Sequence, residues 1–419
     1  MTKRERDNSW AEIPMSRAAK NTTNPIRSIV DRIQGTPNPN YRPIKVSIGD
    51  PTLCGNFLPS AKGDEAVLAA LKDCHSNGYG PAHGSTDARK AVAEKMSEGG
   101  SQCFTENDVI MCCGASGALD IAFNVLADAG DNVLFPNPGF SLYGTICDHA
   151  QIECRRYHCD PAKDWEADIS HMRSLIDSRT KAILINNPSN PCGSVFSKKH
   201  LEAIVRVAEE FKVPIVSDEI YANMTFGVPF VSAVEVCGNV PCIVVGGIAK
   251  QFVVPGWRIG WAVLCDRAGV AKQIREGMFK LCTLILGPAS LLQVAVRPLL
   301  HQTPQSYYDD MIRKLEEGAR VSYEALRGVP GLSPTRPSGA MYMMVGIDIA
   351  MFRNIADDVD FCTKLWLEFA VQVLPGSCFG ATNFFRVVFT NSHGDLKEAF
   401  GRIDAFCKAH LASSPAHKE

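Results

Sequence analysis

Short apolar strands alternate with helical segments through the middle of this 419-residue chain. The predicted strands span residues 108–113, 132–135, 182–185, 213–216, 242–245 and 261–265. An alternation of this kind is typical of parallel βαβ units, in which helices cover the faces of one sheet. The chain is therefore predicted to fold as an α/β protein around a mostly parallel sheet.

Polar side chains follow three of these strands. They are Asn190 in a Pro-rich loop, Asp218 with Tyr221, and Lys250, and Arg258 comes shortly after the lysine. Open α/β sheets bind their ligands at the carboxyl ends of the strands. An amide, a carboxylate, a phenol, an amine and a guanidinium are therefore expected to meet in one crevice. This set suits pyridoxal phosphate, which needs a lysine for its Schiff base and an acid that holds the pyridinium proton.

The turn Gly114-Ala115-Ser116 joins the first of these strands to a helix predicted at residues 117–126. Small residues at a helix amino terminus leave backbone N–H groups free beside the positive end of the dipole, which favours phosphate binding. Such turns are common, so the signal is weak on its own. The sequence contains neither G-x-G-x-x-G nor G-x-x-x-x-G-K-[ST], the usual nucleotide-binding patterns. Phe140 follows the next strand and is either a core residue or an aromatic that stacks on a ring.

One guanidinium, Arg386, interrupts the apolar strand predicted at residues 385–389. A buried arginine without a partner is costly, so this side chain needs a carboxylate. The residues alone leave two candidates, which are an acid of the chain itself and the carboxylate of a bound substrate.

Four further motifs follow one another along the chain. They are Asn-Pro-Ser-Asn-Pro-Cys-Gly-Ser-Val-Phe-Ser at 187–197, Asp-Glu-Ile-Tyr at 218–221, Val-Pro-Gly-Trp-Arg at 254–258 and Pro-Ser-Gly-Ala-Met-Tyr at 337–342. In order and spacing these motifs resemble those of the aspartate aminotransferase superfamily. The residues within them are similar to those of the tyrosine aminotransferases. The resemblance runs from Asn24 to Cys407. Several motifs in the right order are far more specific than any one of them.

The resemblance implies the fold type I of pyridoxal-phosphate-dependent transferases. That fold has a large domain with a mostly parallel seven-stranded sheet flanked by helices, and a smaller α+β domain. We expect the large, cofactor-binding domain at residues 52–304 and the small domain at residues 24–51 and 305–411. Residues 1–23 are expected to form an amino-terminal arm and residues 412–419 a tail.

The resemblance also implies a role for each candidate residue. Lys250 forms the Schiff base and then moves the substrate proton, Asp218 holds the pyridinium proton, and Tyr221 contacts the ring hydroxyl oxygen. The implied cofactor-binding residues are Tyr79, Gly114, Ala115, Ser116, Phe140, Asn190, Asp218, Tyr221, Lys250 and Arg258. The substrate carboxylate is expected at Arg386, helped by Asn190 and Gly49.

Tyr79 carries an implication about assembly. It lies in a turn, where a packed loop aromatic is the simple interpretation. In the superfamily this tyrosine reaches the cofactor phosphate of the neighbouring subunit. The resemblance therefore implies a homodimer with shared active sites.

The chain departs from the superfamily at two places. Gly247 stands where many relatives have a serine that donates to the phosphate, so that contact must come from elsewhere or from water. Residues 281–290 hold no arginine of the kind that clamps a side-chain carboxylate in aspartate-specific relatives. Without that charge-assisted pair, aromatic or neutral amino acids are the expected substrates.

Charge and composition argue against several other classes of protein. A net charge of −2 does not favour nucleic acid or an anionic membrane as a partner. The longest apolar run, residues 281–296, is interrupted by Pro288 and Gln293 and is too short to span a bilayer. The sixteen cysteines are scattered without metal-binding spacing, and the amino terminus shows no secretory signal. We therefore expect reduced thiols, no metal and a cytoplasmic protein.

Three functions remain open on the sequence. The leading one is an aminotransferase that moves the amino group of tyrosine, or of another aromatic or neutral amino acid, to 2-oxoglutarate or pyruvate. An alanine-type aminotransferase or a lyase that cleaves a β C–S bond uses the same fold and residues, so the fold cannot separate them. A binding protein that has lost catalysis is the third. The joint presence of Lys250, Asp218, Tyr221, Arg258 and Arg386 argues against that last function.

Overall fold

The computed structural model describes residues 12–30, 33, 35–98, 100 and 102–412. The predicted amino-terminal arm lies partly outside these residues, and so does almost all of the predicted carboxyl-terminal tail. Within the described part of the chain, no helix is long and apolar enough to cross a membrane.

Fourteen strands lie within the described residues, numbered here in chain order. They are β1 (Ile44–Lys45), β2 (Val109–Cys113), β3 (Asn132–Asn137), β4 (Glu153–Asp160), β5 (Glu166–Ala167), β6 (Thr180–Asn186), β7 (Ile215–Asp218), β8 (Cys242–Gly247), β9 (Ile259–Cys265), β10 (Leu332–Pro334), β11 (Tyr342–Ile347), β12 (Val371–Gln372), β13 (Leu374–Pro375) and β14 (Phe384–Val388).

Fifteen α-helices accompany them in the same part of the chain. They are α1 (Arg17–Asn21), α2 (Pro25–Val30), α3 (Ala61–Asp73), α4 (Thr86–Ser97), α5 (Gly114–Leu126), α6 (Leu142–Ala150), α7 (Ile169–Ser174), α8 (Lys198–Phe211), α9 (Ala233–Val236), α10 (Lys272–Leu281), α11 (Ser290–Gln293), α12 (Val296–Gln302), α13 (Gln305–Leu326), α14 (Asp358–Phe369) and α15 (His393–His410).

The large sheet confirms the predicted α/β class. Its spatial order is β2-β9-β8-β7-β6-β3-β4-β5, and β4, β3, β6, β7 and β8 are mutually parallel. Strand β9 is antiparallel to both of its neighbours, because the segment between β8 and β9 is too short for a helical crossover. The sheet has eight strands rather than the seven expected. The extra edge strand, β5, is only two residues long, too short for a periodicity to reveal it.

The start, the buried face and the end of helix α8 follow from its local sequence. The side chain of Ser197 accepts a hydrogen bond from the backbone N–H of His200, which caps the amino terminus. Leu201, Ile204 and Ala208 recur at helical spacing, are buried, and pack on one face of the large sheet. The helix ends at Lys212, whose backbone is left-handed. Helix α5 covers the opposite face of the sheet, so the sheet is buried on both sides.

The smaller sheet is antiparallel, in the order β10-β11-β14-β13. Helices α13, α14 and α15 pack against it, together with residues near Ile44 and Phe57. Arg386 lies in β14 opposite Met344 of β11. The boundaries of the two predicted domains stay a prediction.

Strand β1, the first strand of the described residues, is only two residues long. Only Ile44 and Lys45 pair with β12. The carbonyl of Val46 then accepts a hydrogen bond from the N–H of Val388. The carbonyls of two residues that follow accept hydrogen bonds from side chains. The Ser47 carbonyl accepts from Arg386 and the Gly49 carbonyl accepts from Lys250. This segment therefore leaves the sheet in order to line a cavity.

Candidate active site

A cavity of about 430 Å³ lies between the carboxyl edge of the large sheet and the small sheet. The predicted site residues that line it are Gly49, Ala115, Ser116, Phe140, Asn190, Asp218, Tyr221, Lys250, Arg258 and Arg386. Gly114 adjoins the guanidinium of Arg258 at its border. The structure therefore brings together side chains that are far apart in the sequence.

Tyr79 is the exception among the predicted residues. Its side chain is 99% exposed and does not line the cavity of its own chain. Its predicted contact with a neighbouring subunit stays a prediction.

Lys250 lies in the turn that follows β8. Its Nζ donates a hydrogen bond to the carbonyl oxygen of Gly49. Gly247, near the end of β8, has little space for a side chain, because a Cβ there would lie 2.9 Å from the carbonyl oxygen of Ile259. The close approach of β8 and β9 thus gives a steric reason for a glycine at this position.

Asp218 is the last residue of β7, and its carboxylate is buried. The hydroxyl of Tyr143 donates to Oδ2 at 2.8 Å, and the backbone N–H of Ile220 donates to Oδ1 at 3.2 Å. Burial raises the pKa of Asp218 to about 6, although both hydrogen bonds act in the opposite direction. A cation beside this carboxylate would stabilise its charged form, and a protonated pyridine nitrogen is such a cation. The carboxylate therefore fits the ring end of pyridoxal phosphate.

Helix α5 and Arg258 form the second charged part of the cavity. No side chain caps the amino terminus of α5, which begins at Gly114 rather than at residue 117 as predicted. Gly114 has φ of +73°, and a Cβ on it would lie 2.6 Å from Nη2 of Arg258. The guanidinium donates to the Pro255 carbonyl at 3.0 Å. A helix amino terminus beside a guanidinium suits a phosphate dianion.

Phe140 and Tyr221 contribute aromatic rings. Phe140 is half-buried and meets the ring of Tyr143 edge to face at 5.7 Å. The hydroxyl of Tyr221 lies 2.7 Å from the hydroxyl of Tyr342. Burial raises the pKa of Tyr221 well above its ordinary value, and the nearby Tyr342 adds to the effect.

Arg386 is buried in β14, and its guanidinium donates to neutral acceptors. Nη1 donates to Oδ1 of Asn190 at 2.8 Å, and Nη2 donates to the Ser47 carbonyl at 2.7 Å. Within the part of the chain that the structure describes, its Nε has no hydrogen-bond partner, and burial lowers the pKa of the side chain. Among the described residues, no aspartate or glutamate forms an ion pair with it. The internal-acid interpretation is therefore wrong for this part of the chain, and an anionic ligand would complete the site.

Sequence reasoning missed several residues that the structure places at the site, among them Tyr143, Tyr342 and Arg27. Tyr143 reaches Asp218 across the packing of α6 on β7, which no local pattern reveals. Tyr342 was part of a recognised motif but had no assigned role. Arg27 of α2 also lines the cavity, and only its position near the start of the resemblance pointed to it.

Comparisons with known proteins agree with this geometry. The profile of the family described as aminotransferase class I and II matches residues 42–403. Tyrosine aminotransferase from Mus musculus is 42% identical over 98% of this chain and 90% of the mouse protein. The crystal structure of tyrosine aminotransferase from Leishmania infantum has a TM-score of 0.92 at 35% identity, and covers 96% of this chain and all of that one. Alanine aminotransferase from Pyrococcus furiosus has a TM-score of 0.90 at 31% identity, over 95% of this chain and all of the other.

Proposed function

This chain belongs to the aminotransferase class I and II family and is a pyridoxal-phosphate-dependent aminotransferase, and on that premise we propose that it acts on tyrosine. The amino group of tyrosine, or of another aromatic or neutral L-amino acid, passes to a 2-oxo acid such as 2-oxoglutarate or pyruvate. The observation that carries the proposal is the buried guanidinium of Arg386. It has no acidic partner among the described residues and lies in the same cavity as Lys250 and Asp218.

The cofactor end of the cavity holds the reacting groups. When bound, pyridoxal phosphate supplies an electrophilic carbon and an electron sink. Lys250 is the nucleophile and moves the proton of the substrate α-carbon, as an amine placed in a cavity can do. Asp218 would keep a proton on the pyridine nitrogen. Tyr221 and Asn190 would donate hydrogen bonds to the ring oxygen, and Phe140 would stack on the ring.

The remaining contacts hold the two anionic groups. The phosphate would be held by Arg258 and by the first turn of α5, from Gly114 to Ser116. The substrate carboxylate is held by Arg386, with Asn190 and Gly49 beside it. A bidentate contact between a guanidinium and a carboxylate fixes orientation as well as position, so the α-carbon is presented to Lys250.

The choice of an aromatic substrate has separate support. The Mus musculus and Leishmania infantum relatives are both named for tyrosine. Residues 281–290 carry no arginine that could hold a second carboxylate, so a dicarboxylic amino acid has no charge-assisted partner in that segment.

We further propose a homodimer with shared active sites. Tyr79 is almost fully exposed, and a run of leucine and isoleucine at residues 284–286 is exposed as well. Apolar side chains clustered at a surface mark an interface more often than free surface. A second copy of the chain would cover them and would bring Tyr79 to the cofactor phosphate of the other subunit.

A cytoplasmic location is the last part of the proposal. All sixteen cysteines lie within the described residues, and all are free thiols. Reduced thiols in such number suit a reducing compartment.

A product assay tests the proposed reaction. The cofactor-loaded enzyme is incubated with L-tyrosine and either 2-oxoglutarate or pyruvate, and both oxo acids and amino acids are separated by chromatography. We expect 4-hydroxyphenylpyruvate to form in equal amount with glutamate or alanine, and a Lys250→Ala variant to form neither. Release of pyruvate and ammonia from a cysteine conjugate, without reaction of tyrosine, would instead establish the lyase. Transfer from alanine but not tyrosine would establish the alanine-type enzyme.

A further inference from the structure

Two buried phenols face each other at the centre of the cavity. The hydroxyl oxygens of Tyr221 and Tyr342 are 2.7 Å apart, and their rings meet edge to face at 5.6 Å. Two hydroxyl groups carry two protons, and their mutual hydrogen bond uses one of them. One phenol therefore keeps a proton for another acceptor, and the direction of the shared bond decides which.

Tyr342 is also a neighbour of Arg386 on the small sheet. Tyr342 pairs with Val388, and Met344 pairs with Arg386, so Tyr342 and Arg386 are diagonal neighbours on one face of the sheet. The guanidinium carbon lies 4.4 Å from the centre of the Tyr342 ring and 4.6 Å from that of Phe379. The arginine is thus held between two aromatic rings.

Two glycines let the backbone approach Tyr342 closely. A Cβ on Gly49 would lie 2.2 Å from the Tyr342 hydroxyl oxygen, and one on Gly193 would lie 2.1 Å from the Tyr342 carbonyl oxygen. Gly49 is also the residue whose carbonyl accepts from Lys250. Tyr342 therefore lies against Tyr221, against Arg386 and against the backbone that accepts the hydrogen bond of the lysine.

We propose that Tyr342 is a positioning residue whose hydroxyl donates a hydrogen bond to the hydroxyl oxygen of Tyr221 and whose ring supports Arg386. The proposal rests on the function proposed above, in which Tyr221 donates to the ring oxygen of the cofactor. When Tyr342 donates, the proton of Tyr221 is directed into the cavity. A phenol that accepts a hydrogen bond is also a stronger donor, because linked hydrogen bonds polarise one another. The hydroxyl of Tyr342 thus acts on Tyr221, which contacts the cofactor, and its ring acts on Arg386, which contacts the substrate carboxylate.

The hydroxyl is tested by the pH dependence of the visible absorption band of the cofactor-loaded enzyme without substrate. Tyr221→Phe should raise the pH midpoint of this band, since the cofactor then loses its phenol donor. Tyr342→Phe should shift the pH midpoint in the same direction. The shift should correspond to a change of about threefold to tenfold in the proton affinity of the group that gives the band. The double variant should match Tyr221→Phe alone. The charged side chains that line the same cavity are Arg27, Asp218, Lys250, Arg258 and Arg386, and these variants leave all of them unchanged.

The ring is tested by the binding of 3-phenylpropionate, which carries a carboxylate and an aromatic ring but no amine. Tyr342→Phe should bind it as tightly as the wild type, because the ring over Arg386 remains. Tyr342→Leu should weaken binding by about threefold or more, as a cation–π contact is lost. Circular dichroism of both variants shows whether each is folded.

Some outcomes would overturn the inference. Equal midpoints for wild type and Tyr342→Phe, while Tyr221→Phe shifts the band, would show that Tyr342 does not orient Tyr221. If the midpoint shifts of the two single variants add in the double variant, Tyr342 does not act through Tyr221 and has only a structural role. A wild-type protein with no visible band would instead refute the proposed function itself, so the two failures are distinguishable.

Discussion

The two sides of the cavity hold their charged groups in different ways. On the side of the large sheet, Asp218 ends β7 and Lys250 lies in the turn after the neighbouring strand β8, and both side chains line the cavity. On the side of the small sheet, Arg386 lies within an antiparallel strand and is held by Ser47 and Asn190 from distant parts of the chain. The first side is prepared for a cation and an electrophile, and the second for an anion. An amino acid carries a carboxylate and an amine on one carbon, so it can engage both sides at once.

Of the substitutions that separate the two sides of the cavity, replacing Lys250 should have the largest effect on turnover. We expect Lys250→Ala to lower turnover by at least about 10⁴-fold, since it removes both the nucleophile and the general base. The visible absorption band of the loaded enzyme should disappear as well. Lys199→Ala, at an exposed lysine of α8, is the control and should behave as the wild type. Retained turnover in Lys250→Ala would remove the lysine from the mechanism.

Replacing Asp218 tests the charge on the large-sheet side. Asp218→Asn should slow the half-reaction with L-tyrosine by about 10² to 10³-fold, the usual effect of removing one preorganised electrostatic group. Stopped-flow absorbance measures the rate. Tyr143→Phe keeps the carboxylate and removes only one of its hydrogen bonds, so we expect a loss of about tenfold. A larger loss for Tyr143→Phe than for Asp218→Asn would contradict this ranking.

Replacing Arg386 tests the small-sheet side. Arg386→Lys should raise KM for L-tyrosine by about 10 to 10²-fold, because lysine keeps the charge but loses the bidentate contact with the substrate carboxylate. Arg402 is the matched control, since it is also largely buried but pairs with Glu398 of α15 outside the cavity. Arg402→Lys should change stability and leave KM unchanged. Equal KM effects for the two variants would mean that Arg386 has only a structural role.

The two adjacent acids at the end of β7 predict a dependence of stability on pH. Burial raises the pKa of Asp218 to about 6 and that of Glu219 to about 7. Because both pKa values rise on folding, the folded state binds more protons between about pH 4 and about pH 7. The free energy of unfolding should therefore fall as pH rises through that window, by about 3 kcal/mol for each group.

Urea unfolding of the cofactor-free protein at about pH 4 and about pH 8 measures this change. Glu219→Gln should reduce the loss of stability while leaving the cavity intact, because Glu219 bonds to Ser217 and Ser232 away from the cavity. Asp218→Asn should reduce it too, but it also changes the cofactor site. A Glu219→Gln variant with the full wild-type loss would show that Glu219 does not titrate in this range.

The two sides of the cavity also differ in how far the sequence alone predicts them. The large-sheet side was predictable because Asp218 and Lys250 follow strands that apolar patterns reveal. Arg386 stood out as a charge in an apolar strand, but its partners Ser47 and Asn190 are remote in sequence, and only the folded chain brings them together. The contact of Tyr143 with Asp218 depends on how α6 packs, so it left no local signal.

The most direct test of the account compares L-tyrosine with tyramine, which lacks only the carboxylate. Each is titrated into the cofactor-loaded enzyme without an oxo acid, and the visible absorption band is followed. L-tyrosine should remove the band in favour of a near-ultraviolet band, and 2-oxoglutarate or pyruvate should restore it, while tyramine should act far more weakly. In Arg386→Lys the advantage of L-tyrosine over tyramine should shrink by about tenfold or more. Equal responses to the two amines in the wild type would contradict the claim that both sides of the cavity bind one substrate.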